Sequence, residues 1–176
     1  MSPRLLTLSI LLCGWLLAAP SAHALDCLLD TNNDGNADSN VDTDSSAFSN
    51  GSPVRLACGP SANASGGNST AVGFEATSSG NNTVAVGNGA DAVADSATAL
   101  GRRANASGAR SLAIGGDGSD GDNDGAQAIG SDAIAIGNDA AASSEGATAI
   151  GANADAVDTD TTAIGAGAGA FDASAL

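Results

Sequence analysis

The chain has 176 residues, of which 20 are acidic and five basic, so its net charge at pH 7 is −15. Such an acidic surface repels the phosphates of nucleic acids and the headgroups of anionic lipids, and it favours solubility and the binding of cations. We therefore exclude nucleic acid as a partner.

Residues 1–24 have the layout of a secretory signal peptide. Arg4 supplies the positive charge, an apolar stretch follows over residues 5–18, and the small residues Ala22 and Ala24 mark a cleavage site after Ala24. The apolar stretch is shorter than a typical membrane-spanning helix. We expect the protein to be exported and the mature chain to begin at Leu25.

The mature chain offers little for catalysis. It contains no histidine or lysine, and its four arginines stand against 20 acidic residues, which gives a net charge of −16. No side chain therefore has an ordinary pKa near neutrality. The sequence also lacks the motifs of serine hydrolases, zinc proteases and P-loop enzymes. We predict that the protein is not an enzyme.

An acidic segment, residues 25–57, precedes the repetitive part of the chain. Cys27 and Cys58 are the two cysteines that remain after export, and such a pair is usually oxidised outside the cell. A disulfide between them would close the segment and stabilise it by about 3 to 4 kcal/mol. The alternative is a pair of buried free thiols.

The same segment contains a candidate calcium loop. Oxygen-bearing side chains recur at alternate positions, with Gly35 at the place of the sharp turn in calcium loops. The candidate ligands are Asp30, Asn32, Asp34, Asn36 and Asp38. Position 12 of the loop is Val41 rather than glutamate, so the alternative is a solvated acidic loop. We expect no other cofactor.

Residues 58–170 are built from a short repeat that ends in alanine, a branched aliphatic residue and glycine. The ends are TAVG at 70–73, VAVG at 84–87, TALG at 98–101, LAIG at 112–115, QAIG at 127–130, IAIG at 134–137, TAIG at 148–151 and TAIG at 162–165. Most of these glycines are 14 residues apart, but two successive steps are 15 and 7. We interpret the short step as half a unit inserted or lost. A fixed period of this kind predicts a solenoid.

Each unit is predicted to form two short strands joined by turns. Alanine and a large aliphatic residue alternate before the glycine, and two small residues, such as Ala90 and Ala92, alternate after it. Both faces of the first strand are uncharged, which is typical of strands buried on both sides. A two-stranded coil has only one interior, so we expect the second face to pack against another copy of the chain.

The repeat units resemble the head repeats of YadA-like trimeric autotransporter adhesins. The resemblance is carried by N-S-T-A-V-G at 68–73, N-N-T-V-A-V-G at 81–87 and A-R-S-L-A-I-G at 109–115, and it covers residues 58–170. It implies an all-β, left-handed parallel β-roll of about eight coils. It also implies a homotrimer at a Gram-negative cell surface or outer membrane that binds host matrix or cells.

The sequence departs from that family after the repeats. Residues 171–176 form a short tail, and no coiled-coil heptads or amphipathic anchor strands follow Gly165. We therefore expect a head that lacks its own stalk and membrane anchor, either as a fragment of a longer protein or as a secreted protein that consists of the head alone.

A second acidic run, residues 117–125, interrupts the repeat. We expect it to be a surface loop that bulges from one coil, and a second metal site is the weaker interpretation. Arg102, Arg103 and Arg110 flank a neighbouring turn, where they are expected to balance acidic charge rather than to line a ligand pocket.

Two other functions are compatible with the repeat. An ice-binding solenoid would share the small residues and the threonine column. The column here is irregular, because it contains other residues besides Thr70, Thr98, Thr148 and Thr162. A passive spacer would need no ligand. The adhesin head remains the leading interpretation.

Overall fold

The computed structural model describes the backbone of residues 25–26 and residues 47–49, 54–118, 121 and 123–171 in full. Regular structure in this part of the chain consists of short strands. They are β1 (Leu25–Asp26), β2 (Leu56–Cys58), β3 (Asn63–Ala64), β4 (Thr70–Val72), β5 (Thr77–Ser78), β6 (Val84–Val86), β7 (Asp91–Ala92), β8 (Thr98–Leu100), β9 (Asn105–Ala106), β10 (Leu112–Ile114), β11 (Gln127–Ala128), β12 (Ile134–Ile136), β13 (Ala141–Ala142), β14 (Thr148–Ile150), β15 (Asp155–Ala156), β16 (Thr162–Ile164) and β17 (Gly169–Ala170).

The strands form two parallel sheets that run along the molecule. The first sheet has the order β1-β2-β4-β6-β8-β10-β12-β14-β16, and the second has the order β17-β15-β13-β11-β9-β7-β5-β3. From β2 onwards each coil contributes one three-residue strand to the first sheet and one two-residue strand to the second. This confirms the predicted all-β parallel roll of about eight coils.

The interior between the two sheets is filled almost entirely by alanine. In the coil formed by β8 and β9 the enclosed side chains are Ala97, Ala99, Ala104 and Ala106, and none of them has exposed surface. The residues between them in each strand point outwards, because successive side chains of a strand lie on opposite faces. The chain itself therefore encloses only the small-residue face of each first-sheet strand.

Two of the buried hydroxyl side chains that replace alanines in this interior, Ser78 and Thr83, form a pair. The hydroxyls of Ser78 and Thr83 lie 2.7 Å apart, and Thr83 also donates a hydrogen bond of 2.7 Å to the carbonyl oxygen of Gly80. Both side chains are fully buried. Because each hydroxyl has a partner, the substitutions avoid the cost of an unsatisfied buried polar group.

The glycine that ends each first-sheet strand allows adjacent coils to approach closely. Gly87 has a φ of +141°, and a Cβ atom at this position would lie 2.2 Å from the carbonyl oxygen of Gly101. The equivalent glycines at 73, 101, 115, 137 and 151 have the same kind of contact, with Cβ-to-oxygen distances of 2.1 to 2.5 Å. Only glycine satisfies both the backbone conformation and the space.

The structure corrects the prediction for residues 127–130. Strand β11 pairs with β9, so QAIG belongs to the second sheet and is not a repeat end. Strand β12 instead follows β10 in the first sheet, with Ile134 opposite Leu112. These two strands are 22 residues apart rather than 14, so this coil contains eight additional residues. The half-unit interpretation was therefore wrong: the repeat is intact, and a loop has been inserted into it.

The first coil of the repeat was missed because its end, LACG at 56–59, has cysteine in place of the aliphatic residue. Strand β2 carries this sequence and pairs in register with β4. Its Cys58 forms a disulfide. Cys27, the predicted partner, lies outside the described residues, so this pairing stays a prediction.

Segments from the acidic N-terminal part of the chain extend both sheets beyond the first coil. Strand β1 pairs with β2, and Phe48 forms a parallel bridge with Asn63 at the edge of β3. The Phe48 amide donates to the Ala62 carbonyl oxygen at 2.7 Å, and the Ala64 amide donates to the Phe48 carbonyl oxygen at 2.8 Å. Both sheet edges at this end thereby gain backbone partners, which protects them from pairing with other chains.

Replacing a stacking glycine should destabilise the roll through a steric clash between coils. We expect Gly87→Ala to lower the free energy of unfolding by on the order of 3 kcal/mol more than Gly165→Ala does. Gly165 also has a positive φ, of +124°, but its Cβ would meet no atom closer than 3.9 Å. Chemical denaturation followed by circular dichroism measures the difference. Equal destabilisation by the two variants would contradict the clash.

A second prediction concerns the disulfide of Cys58. If Cys27 is its partner, Cys27→Ser, Cys58→Ser and the double variant should all lose the same stability, about 3 to 4 kcal/mol, because each removes the same restraint on the unfolded chain. Denaturant titration of the three variants tests this. Peptide mapping without reduction should identify the crosslink, and a free thiol at either position would refute the pairing.

Candidate functional site

The outward side of the first sheet is an uncharged aliphatic surface. Its inner column, next to the glycines, is Cys58, Val72, Val86, Leu100, Ile114, Ile136, Ile150 and Ile164, and its outer column is Leu56, Thr70, Val84, Thr98, Leu112, Ile134, Thr148 and Thr162. We call these two columns the aliphatic face. Val86 is 37% exposed, and Ile164 is 68% exposed. The face runs the whole length of the repeat, and the described residues leave it partly exposed.

The outward strand positions of the second sheet are mostly polar, although Val93 and Ile129, which follow β7 and β11, are exposed beside them. The strand positions are Asn63, Thr77, Asp91, Asn105, Gln127, Ala141, Asp155 and Gly169, and we call them the polar face. They point away from the interior because the following residue of each strand from β3 to β15, such as Ala92 after Asp91, is buried. The two sides of the roll therefore differ in chemistry: one is suited to a dry interface and the other to water or polar ligands.

The coil between β10 and β11 contains the eight additional residues, of which the structure describes residues 118, 121 and 123–125. Asp117 takes the turn position that Arg103 has in the preceding coil. The Asp117 amide donates a hydrogen bond of 2.9 Å to the Arg102 carbonyl oxygen, and the Arg103 amide donates an equivalent bond to the Asn88 carbonyl oxygen. At the far end, the Ala126 amide donates to the Gly115 carbonyl oxygen and restores the coil. The inserted residues are therefore 118–125, which we call the insert.

Hydrogen bonds and an ion pair connect the insert to the roll. The carboxylate of Asp139 accepts from the Gly118 amide at 2.9 Å, and the Asp124 carboxylate accepts from the Gln127 side-chain amide at 2.8 Å. Just before the insert, the guanidinium group of Arg102 lies 2.8 Å from the Asp117 carboxylate, whose side chain is only 5% exposed. These contacts hold both ends of the insert against its own coil and its neighbours.

A cleft with a volume of about 180 Å³ lies where the insert meets the polar face. Its lining residues are Gly89, Asp91, Arg103, Asn105, Asn123, Asp124 and Gln127. Carboxylates, carboxamides and one guanidinium group surround the space, with no aliphatic or aromatic side chain among them. Such a lining both donates and accepts hydrogen bonds.

Partial burial raises the pKa of the Asp91 carboxyl group above its ordinary value of 3.8. Desolvation causes this shift because it disfavours the charged form of an acid. The Oδ1 atoms of Asn63, Asp91 and Asn105 are all enclosed without a hydrogen-bond partner. Since Asn63 lies far from the cleft along the same column, this feature belongs to the polar face rather than to the cleft.

The three arginines that flank the neighbouring turn have different surroundings. Arg102 pairs with Asp117, and Arg110 forms a two-point ion pair with Asp132, with an Nε-to-Oδ1 distance of 2.6 Å. The hydrogen bond from Arg110 lowers the pKa of the exposed Asp132. These two arginines balance acidic charge, as expected. Arg103 differs from them, because it lines the cleft.

The predicted calcium ligands Asp30, Asn32, Asp34, Asn36 and Asp38 lie outside the described residues, as do the signal peptide and the tail after residue 171. Within the part of the chain that the structure describes, no three acidic, histidine or cysteine side chains converge as metal ligands. In the same part, no helix has the length and hydropathy that would let it cross a membrane.

Sequence reasoning missed the cleft. Its residues come from three strands, two turns and the insert, so they are separated in the sequence. The signal that pointed to it was the break in the repeat at residues 117–125, which was correctly expected to bulge from one coil.

The fold and its two faces define the class of this protein: a parallel β-roll of 14-residue coils with one aliphatic and one polar side. The chain belongs to the YadA head family. The model of that family, described as the YadA head domain repeat (2 copies), matches residues 57–90, 92–117, 128–154 and 142–168. A search among curated proteins found no match.

The raised pKa of Asp91 predicts a pH dependence of stability. The folded state binds the Asp91 proton more tightly than the unfolded state does. The free energy of unfolding therefore falls as the pH rises from about 3.8 through the raised pKa, and this loss of stability is complete at pH values above that pKa. Asp91→Asn removes this loss. The free energy of unfolding of the variant minus that of the wild type should therefore be larger at pH 7 than at pH 3.

Thermal unfolding at a series of pH values measures this difference. Asp155→Asn makes the same chemical change in the same column at the far end of the roll and controls for the amide itself. A constant difference between Asp91→Asn and the wild type at all pH values would contradict the prediction.

Proposed function

We propose that the protein is an exported adhesin head that acts as a homotrimer, with the aliphatic faces of three chains packed around a common axis. The observation that carries this proposal is the aliphatic face itself. Sixteen outward positions in eight coils contain no charged side chain. Exposed apolar surfaces that are both large and continuous are uncommon on monomers and usually mark an interface.

The chemistry of the single chain supports the same assembly. Its interior contains small side chains, so most of the large aliphatic side chains lie on the outside. Burial of each such side chain in a trimer would contribute about 1.5 to 3 kcal/mol. Membership of the YadA head family supports three copies rather than two, because heads of that family are trimeric.

In such a trimer the polar faces and the turns remain on the outside. Equivalent turns then recur along the roll and around the axis, so many weak contacts can form at once. We propose that adhesion to matrix or cells depends on this multivalency rather than on one deep pocket. The net negative charge of the mature chain keeps the assembled heads soluble and favours basic or neutral surfaces.

We propose no catalytic activity and no resident cofactor for the roll. Calcium binding by the loop of residues 30–38 remains our proposal for the acidic N-terminal segment. Light scattering with calcium and then with chelator would show whether the ion contributes to assembly.

The trimer can be tested with a single charge on the aliphatic face. We expect the mature chain, residues 25–176, to have the mass of a trimer by light scattering, and Ile136→Asp to reduce it to that of a monomer. The variant would place three unpaired carboxylates near the axis, and the cost of desolvating them exceeds what the contact contributes.

Ala141→Asp is the matched control because it lies on the polar face, where the equivalent positions are already Asp91 and Asp155. It should remain trimeric. Beads coated with the control should adhere to matrix-coated surfaces or cultured cells, and beads coated with Ile136→Asp should adhere much less. Equal retention of the two would oppose adhesion through the trimer. A wild-type chain that is a folded monomer would overturn the assembly, and thermal hysteresis from it would favour the ice-binding alternative.

A further inference from the structure

The cleft beneath the insert is the place where the regular surface of the roll is interrupted. Strands β7, β9 and β11 present Asp91, Asn105 and Gln127 side by side, because these residues are paired in register. Adjacent strands are about 4.8 Å apart, so the three side chains form a row of polar groups across three strands. Among the described residues, no other coil has an insertion beside its row.

The insert and two turns form a cleft around this row that is partly open to solvent. Asn123 and Asp124 approach from the insert, and Arg103 with Gly89 approaches from the turns of two adjacent coils. The hydrogen bond between Asp124 and Gln127 fixes the insert over the row at 2.8 Å. The cleft has a volume of about 180 Å³. A ligand of this site is therefore small.

The lining restricts the chemistry of that ligand. Carboxylates only accept hydrogen bonds, the guanidinium group only donates, and the carboxamides do both, so the ligand must carry donors and acceptors over its whole surface. An apolar ligand would leave these groups unpaired. A bare metal ion is disfavoured by the guanidinium group of Arg103, and an anion is disfavoured by the two carboxylates and by the net charge of the chain.

We propose that this cleft binds one neutral sugar unit through hydrogen bonds between the hydroxyl groups of the sugar and the side chains of Asp91, Arg103, Asn105 and Asp124. A sugar ring carries adjacent hydroxyls that donate and accept at once, which matches the mixture of groups in the cleft. No aromatic side chain stacks on the ring, so the affinity of a single cleft is weak, with a Kd of about 1 mM. The cleft lies within one chain and does not depend on the trimer.

Saturation-transfer NMR with the methyl glycosides of glucose, galactose, mannose and N-acetylglucosamine tests the proposal on the mature chain. At least one should bind, and sialic acid should not. Two variants should abolish the transfer or weaken binding about tenfold or more, as expected for the loss of one or two hydrogen bonds. The first is Asn105→Leu. The second is deletion of residues 118–125, which leaves Gly115, Gly116, Asp117 and Ala126 in the spacing of the other coils.

Asp155→Asn, on the same face but away from the cleft, should bind as the wild type does. Circular dichroism and thermal unfolding confirm that each variant retains the roll. Three results would overturn the proposal: no transfer to any of the four glycosides, unchanged transfer after the insert is deleted, or calcium that shifts the NMR signals of Asp91 and Asp124 while the glycosides do not.

Discussion

The narrow space between the two sheets is the constraint on which the rest of this structure depends. Each coil turns back after a strand of two or three residues, so the sheets lie too close together for anything larger than alanine, serine or threonine. The stacking glycines impose the same limit along the roll, since a Cβ at Gly115 would lie 2.1 Å from the next coil's backbone. The large side chains must therefore lie on the outside of the roll.

Because the large side chains lie outside, the molecule has two different surfaces. On the first sheet the outward positions carry valine, leucine, isoleucine and threonine, which favour strands but leave an apolar surface uncovered within one chain. On the second sheet the outward positions carry polar residues such as Asp91 and Asn105. An elongated roll thus separates a face for self-association from faces that meet water, without any change in the backbone.

The roll also explains why an insertion is tolerated. Each coil contacts mainly its immediate neighbours, so extra residues at a turn leave the strand pairing of the other coils unchanged. Leu112 still lies opposite Ile134 in the first sheet, and Gln127 lies opposite Asn105 in the second. A loop added at a turn can therefore acquire a new contact surface while the scaffold keeps its register, which is how the cleft arises.

The sequence by itself determined the period, the strand character of each unit and the family, because the recurrence of Ala, an aliphatic residue and Gly directly reflects the stacking of coils. It did not determine which side of the first strand is enclosed, since alanine and isoleucine are both apolar and pattern alone does not measure the distance between sheets. It also misplaced QAIG at 127–130, because the second-sheet strand of that coil has by chance the residues of a first-sheet strand. Only the tertiary structure decided that Ile129 follows a strand of the polar face, and only it brought Asp91, Asn105 and Asp124 around one cleft. The physical reason is that backbone hydrogen bonds between coils set the register of strand pairing. When eight residues are inserted, the local residue pattern does not specify which strands form those bonds.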